Sequence, residues 1–372
     1  MSSLRKSALL ITAAVGVLAC CRDAVAGLYG FDQANPLTIE EQILNLDEPP
    51  EYIVNYREQM RNNITMLAEY AKARNPDFKI IVHEGRKLLL KGLWEYHLQG
   101  YNEAKRFGTQ AKDPSFLLRL KQKMPLSSSL MDSSTRNYLK NLDAVVLNNL
   151  FCQGQPQEEI LKKQGIPVIS VDECSSEEAF DEAIQESVGE KTLLYGFVNK
   201  KRAFNNLRYQ PVINENARNV FQIGDTANIA FLIDDSAYGS KDEFIRDIRN
   251  SNFDIIVIPP LFHRNTPYTA EEVNSLKFKK NGTKRLIIAE LNVSEASDRD
   301  YYWQNDWEIG HPDWLSRLSF VEENQVITRY WHEEWKKIIS RFFRDIVAIG
   351  FDGAFLTGLN NHEYFERQTP LE

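Results

Sequence analysis

Eight short apolar runs rich in β-branched residues recur along this chain, most of them separated by stretches long enough for a helix, and that alternation narrows its fold more than any other feature. The runs are Ile80 to His83, Ala144 to Leu147, Val168 to Val171, Ile229 to Ile233, Ile255 to Ile258, Leu286 to Ala289, Val326 to Thr328 and Gly353 to Phe355. Runs that are apolar throughout, rather than alternating, read as strands buried on both faces, as in a parallel sheet covered by helices. Eight such units predict an α/β protein built as a single (β/α)8 TIM-type barrel. Thr192 to Phe197 is a ninth candidate, assigned to an excursion from the barrel.

Helical segments fit between the runs. Tyr52 to Arg74 places Val54, Met60, Ile64, Leu67, Tyr70 and Ala71 at helical spacing, and Asn75-Pro76 stops it. Thr269 ahead of Ala270-Glu271-Glu272 reads as an N-cap followed by early acids, and His332 to Ile349 supplies a further helix. Neither an internal repeat nor a low-complexity linker divides the chain. One barrel domain is therefore expected over 51–372, with 27–50 as a lead-in and Gln99 to Met131 as an insertion between the first two strands.

At the start, Arg5 and Lys6 precede an apolar stretch from Ala8 to Ala19, and Ala24-Val25-Ala26 ahead of Gly27 has the pattern of a cleavage site. The expectation is a signal peptide over 1–26 and an extracytoplasmic protein. Val17-Leu18-Ala19-Cys20 also fits a lipoprotein box, with the leader ending at 19 and an acylated Cys20 as the one route to a membrane. After cleavage at the first site Cys152 and Cys174 remain, an even count suited to an oxidising compartment. A disulfide between them and two buried thiols both fit. Sequons begin at Asn63, Asn281 and Asn292, which matter only in a host that glycosylates.

A net charge of −8 argues against a nucleic-acid partner, since phosphate binding needs concentrated Lys and Arg. An acidic surface favours neutral or cationic ligands, and charge spread this evenly also simply solubilises. The histidines His83, His97, His263, His311, His332 and His362 are scattered without ligand-pair spacing, and no Gly-x-Gly-x-x-Gly or phosphate loop occurs. Neither a metal nor a cofactor is expected.

Several segments carry a family likeness. Gly350-Phe351-Asp352-Gly353-Ala354-Phe355-Leu356-Thr357-Gly358-Leu359-Asn360 parallels a strand written elsewhere as Gly-Phe-Asp-Gly-x-x-Leu-Asp-x-x-Asp. Phe253-Asp254-Ile255-Ile256-Val257-Ile258, Ser294-Glu295-Ala296-Ser297-Asp298, Tyr301-Tyr302-Trp303 and Pro312-Asp313-Trp314-Leu315 continue the match, as does Asn148-Asn149-Leu150-Phe151 against Glu-Asp-Leu-Phe. Together these runs resemble the glycoside hydrolase family 114-like group, extracellular relatives of endo-α-1,4-polygalactosaminidase. The order of the matches implies a circular permutation, with the family's sixth to eighth strands placed first.

Glycoside cleavage uses two carboxyl groups flanking the scissile bond. The resemblance implies that these are the Asp closing the Gly-Phe-Asp-Gly strand and the Glu of Glu-Asp-Leu-Phe; here Thr357 and Asn148 occupy those positions. Asn360 replaces the second Asp of the strand run. Acids remain near the same barrel face, namely Glu84, Asp172, Glu173, Asp234, Asp235, Glu295 and Asp298. Five of six tryptophans lie between Trp303 and Trp335; Trp331 and Trp335 read as core, and Trp303 and Trp307 as ligand contacts.

The leading expectation is an exported barrel protein that engages a polysaccharide or oligosaccharide through Glu84, Asn148, Glu173, Glu295, Asp298, Trp303, Thr357 and Asn360, with hydrolysis impaired. A rival keeps glycosidase activity on an amino-sugar polymer through rearranged carboxylates, Glu295 with Asp172 or Asp234. A third reading is a surface interaction protein without enzymatic activity.

Overall fold

A computed structural model of the chain describes residues 53–106, 131–198, 204–207, 212–320 and 324–369. The expected leader, the lead-in and most of the insertion lie outside the described residues. Eight parallel strands form one sheet: β1 (Lys79–His83), β2 (Ala144–Asn148), β3 (Val168–Glu173), β4 (Leu193–Phe197), β5 (Ile229–Phe231), β6 (Ile255–Ile258), β7 (Leu286–Asn292) and β8 (Gly353–Thr357). Their order is β4-β3-β2-β1-β8-β7-β6-β5, a nearly closed barrel of the (β/α)8 TIM type. At the remaining seam Tyr195 of β4 meets Phe231 of β5 with ring centroids 5.2 Å apart.

Period-two alternation sorts the strand residues into two layers. Ile81, Val146, Ile169, Tyr195, Phe231, Val257, Ile288 and Phe355 share the cluster inside the barrel. Their neighbours Val82, Val145, Leu147, Ile256, Ile287, Ala354 and Leu356 belong to the larger core between strands and helices. The lumen is filled largely by rings: Phe231 lies 5.3 Å from Phe355, which lies 5.7 Å from His83. It is a packed core and not a channel.

The outer layer comprises α1 (Tyr56–Lys72), α2 (Leu93–Arg106), α3 (Ser133–Asn141), α4 (Glu159–Gln164), α5 (Glu177–Glu190), α6 (Lys241–Arg249), α7 (Ala270–Leu276), α8 (Glu333–Ile349) and α9 (His362–Gln368). Local signals set their ends. Thr269 and Glu272 form a reciprocal capping box on α7, and His332 caps α8. None of the described helices is long and apolar enough to cross a membrane.

Two strand assignments change. Leu193–Phe197 is a barrel strand, not an excursion. Gly196 in its interior weakens the sequence signal, and it stands there because a Cβ would come 2.2 Å from the Phe180 ring of α5. Gln325–Thr328, which contains the run read as the seventh strand, lies instead at the centre of a small antiparallel sheet with Glu295–Ser297 and Leu315–Leu318. Its four residues are all buried, so its composition matches a barrel strand although its neighbours do not.

The first and last described segments adjoin. Arg57 of α1 donates from Nε and Nη2 to the two carboxylate oxygens of Glu366 in α9, each at 2.8 Å, and Tyr56 Oη lies 3.3 Å from Thr369 Oγ1. Ends that lie side by side are the geometry in which re-cutting a barrel leaves its packed layers intact. Asn63, read as a sequon, is buried in α1 and donates from Nδ2 to the Tyr330 carbonyl at 2.8 Å, so this fold leaves it no room for a glycan.

Beside Glu366 sits fully buried His362, whose Nδ1–H donates to the Leu359 carbonyl at 2.7 Å. Burial pushes its pKa down to about 3, helped by the positive charges of Arg57, Lys87 and Arg61 and opposed by the bond to Leu359. The folded state thus holds the ring neutral, while the unfolded chain takes up a proton near pH 6.5. Stability from this residue is complete above pH 6.5 and falls as pH drops toward 3, by roughly 1 kcal/mol for each pH unit below 6.5. Urea titrations of wild type and His362→Gln at pH 7.5 and 5.5 measure it; equal acid losses in the two proteins would discard the assignment.

Candidate functional site

The lumen positions at the C-terminal ends of the strands are His83, Asn148, Glu173, Glu290, Asn292 and Thr357, each in phase with the inward cluster of its own strand. Asn148 and Thr357 stand on the two strands that flank β1, so both matched positions open on one mouth. His83 fills the place between them, its Nε2 3.1 Å from Asn148 Oδ1. Thr357 lies beside Asn292 across the β8–β7 ladder, and Glu290 pairs with Phe355 one inward step below. His83, Glu290 and Asn292 had no binding or catalytic role assigned from the sequence; strand parity is the signal that brings them to the mouth.

The remaining acids divide by what they hold. Glu84, at φ +57°, turns its Oε1 to the Asn148 N–H at 2.7 Å and its Oε2 to Arg86 at 3.2 Å, bracing the end of β1. Asp172 faces away from the lumen and is fully buried. Its Oδ2 accepts from the Phe151 and Cys152 N–H groups at 2.8 and 2.9 Å, and its Oδ1 is engaged by Ser170. It therefore organises the loop after β2 and does not meet Glu295. Asp234 closes a local turn by accepting from the Ser236 N–H at 3.0 Å, and Asp298 is exposed.

Cys152 in that loop is joined to Cys174 at the end of β3 by a disulfide. With 22 residues of separation the link removes about 3 kcal/mol of unfolded-chain entropy in the loop-closure model. It also fixes the segment that carries Asn149, a left-handed residue at φ +59° whose Oδ1 accepts from the Glu173 N–H at 2.9 Å.

On the β7–β8 side Glu295 is held by neutral donors. Its Oε1 accepts from Asn361 Nδ2 at 3.0 Å and Ser319 Oγ at 3.1 Å, and its Oε2 from Asn292 Nδ2 at 2.9 Å. Gly358 makes this closeness feasible: at φ +83°, a Cβ there would fall 2.3 Å from Asn292 Oδ1 and 2.5 Å from Ser294 Oγ. Asn360 turns the other way, its Oδ1 accepting from the Gly85 N–H at 3.0 Å and tying the loop after β8 to that after β1.

The loops after β5 and β6 contribute a second polar group. Asp235 Oδ2 accepts from the His263 N–H at 2.6 Å, and Arg264 Nη1 lies 3.4 Å from Asp300, which also accepts from Tyr302 Oη at 2.9 Å. Burial pushes both carboxyls above the usual range; the His263 N–H opposes this at Asp235 and the Arg264 charge at Asp300. Trp335 is core, as expected, while Trp303 and Trp307, read as ligand contacts, are half-buried and join its packing. Trp303, Trp307, Trp314 and Trp335 form a run of rings with successive centroids 5.5, 4.9 and 5.3 Å apart, packed against the outer core. Among the described residues no group of three or more His, Cys, Asp or Glu side chains is placed to hold a metal.

No protein-family model matches the chain. An uncharacterized protein of Methanocaldococcus jannaschii is 36% identical over 153 residues, 40% of this chain and 42% of that protein. Uncharacterized proteins of Thermotoga maritima and Deinococcus radiodurans are 24% identical over 128 residues and 28% over 109, covering 33% and 29% of this chain and 37% and 34% of their own lengths. The matched stretch thus spans less than half of each of these relatives.

Proposed function

We propose that this is an exported barrel protein, related by circular permutation to the family 114-like glycoside hydrolases, that engages a glycan at its C-terminal mouth with hydrolysis impaired. One observation carries the reading: positions 148 and 357 flank β1 on the lumen side, yet hold an amide and a hydroxyl, and the amide is bonded to His83. Neither group ionises as a carboxylate, and loss of one acid or base typically slows a reaction by roughly 10²–10⁴-fold. Amides, hydroxyls and hydrogen-bonded carboxylates remain, which suit sugar hydroxyls. The disulfide supports an oxidising compartment.

A second reading draws on Glu295 and Glu290, carboxylates on the β7 side of the mouth, as relocated chemistry in an active glycosidase. Purified protein incubated with partly deacetylated galactosaminoglycan separates the two. The first reading expects binding without release of reducing ends; release that disappears in Glu295→Gln would replace it with the second. Failure to bind any glycan on an array would reject both and favour a surface interaction protein.

A further inference from the structure

Arg317, on the small-sheet strand Leu315–Leu318, is held in place with no carboxylate partner among the described residues. Its guanidinium carbon lies 3.8 Å from the centroid of the Phe320 ring and 5.4 Å from that of Tyr364, and the two rings stand 5.9 Å apart. Its Nε donates to the Leu318 carbonyl at 3.0 Å. One edge and one face of the group are therefore fixed, while its two Nη groups meet no acceptor among the described residues. Arg57, Arg61, Arg86 and Arg264, by contrast, all face carboxylates.

A guanidinium fixed in this way presents two parallel N–H donors in one plane, the fork that fits a carboxylate. Phe320 is 43% exposed, enough ring surface to take the C–H face of a pyranose. The shelf also adjoins the mouth: Ser319, between Leu318 and Phe320, donates to Glu295, and Tyr364 lies on α9 just past the loop that supplies Asn361. We propose that Arg317, Phe320 and Tyr364 form a subsite for a uronic acid unit of a glycan, its carboxylate on Arg317 and its ring against the aromatics. The assignment rests on the mouth being a glycan site.

Calorimetric titration with three probes tests it: an oligogalacturonate, a sulfated galactan oligosaccharide without carboxylates, and a partly deacetylated galactosamine oligomer. Arg317→Gln should weaken oligogalacturonate binding by about 10-fold or more, since a charge-assisted bidentate contact is lost. Arg317→Lys should fail to restore it, Phe320→Ala should weaken it in the same direction, and melting temperatures should stay unchanged. Equal affinity in wild type and Arg317→Gln overturns the subsite, as does preference for the sulfated probe. If wild type binds the galactosamine oligomer but not oligogalacturonate, the subsite fails and the mouth reading survives; binding to none of the three removes both.

Discussion

Lys279→Met is expected to cost about 3–5 kcal/mol of unfolding free energy, because it strands a carboxylate that is shielded from solvent. Lys279 and Asp254 are both fully buried and form an ion pair at the N-terminal end of β6. Asp254 Oδ2 also accepts from the Ala227 N–H at 2.7 Å and Asn216 Nδ2 at 3.0 Å. Its N–H donates to Asn228 Oδ1 at 2.7 Å, and its carbonyl accepts from the Leu286 N–H at 2.9 Å. One residue thus joins the starts of β5, β6 and β7. Methionine fills nearly the volume of lysine, so the loss reports the unpaired charge and not a cavity. Adding Asp254→Asn should recover part of it, since the neutral amide no longer needs the ammonium. Urea unfolding of the four proteins in the cycle measures this, and a single-variant cost under about 1 kcal/mol would mean that the carboxylate finds other compensation.

Reinstating the missing acids is expected to change rate, not stability. Asn148→Glu combined with Thr357→Asp places one carboxylate on each strand flanking β1, the arrangement that the resemblance assigns to the active family. Reducing-end release from partly deacetylated galactosaminoglycan should then rise by about 100-fold or more over wild type. Each single variant should stay close to background, because the two groups act as a unit and either alone leaves the reaction without its partner. His83, 3.1 Å from Asn148 in the native protein, would hydrogen-bond the introduced carboxylate on β2. A double variant that binds the polymer as tightly as wild type yet releases nothing would show that more than these two positions has changed in the mouth.

Much of the barrel was legible in the chain, for a physical reason: a strand buried on both faces must be apolar throughout, and seven of the eight expected runs occupy the parallel sheet. Gly196 hid one true strand because close packing against Phe180 needed a residue without a side chain. Gln325–Thr328 looked like another because burial, not sheet membership, dictates composition. The cap of α7 could be read directly, since a capping side chain bonds within three residues of itself.

The site was less legible, because its members meet only through the closed sheet. Sequence alone determined that the two expected acid positions hold Asn148 and Thr357, and that two cysteines, Cys152 and Cys174, fall within the expected barrel. Only the tertiary structure decided which neighbouring acids face the lumen, turning Asp172 outward to brace a loop and Glu173 and Glu290 inward by a one-residue change of phase. It likewise folded Trp303 into the ring packing outside the barrel while leaving Phe320 exposed at the rim. Local bonding is written in local sequence, whereas the direction of a side chain at a strand end depends on register and closure, which residues far apart in the chain set together.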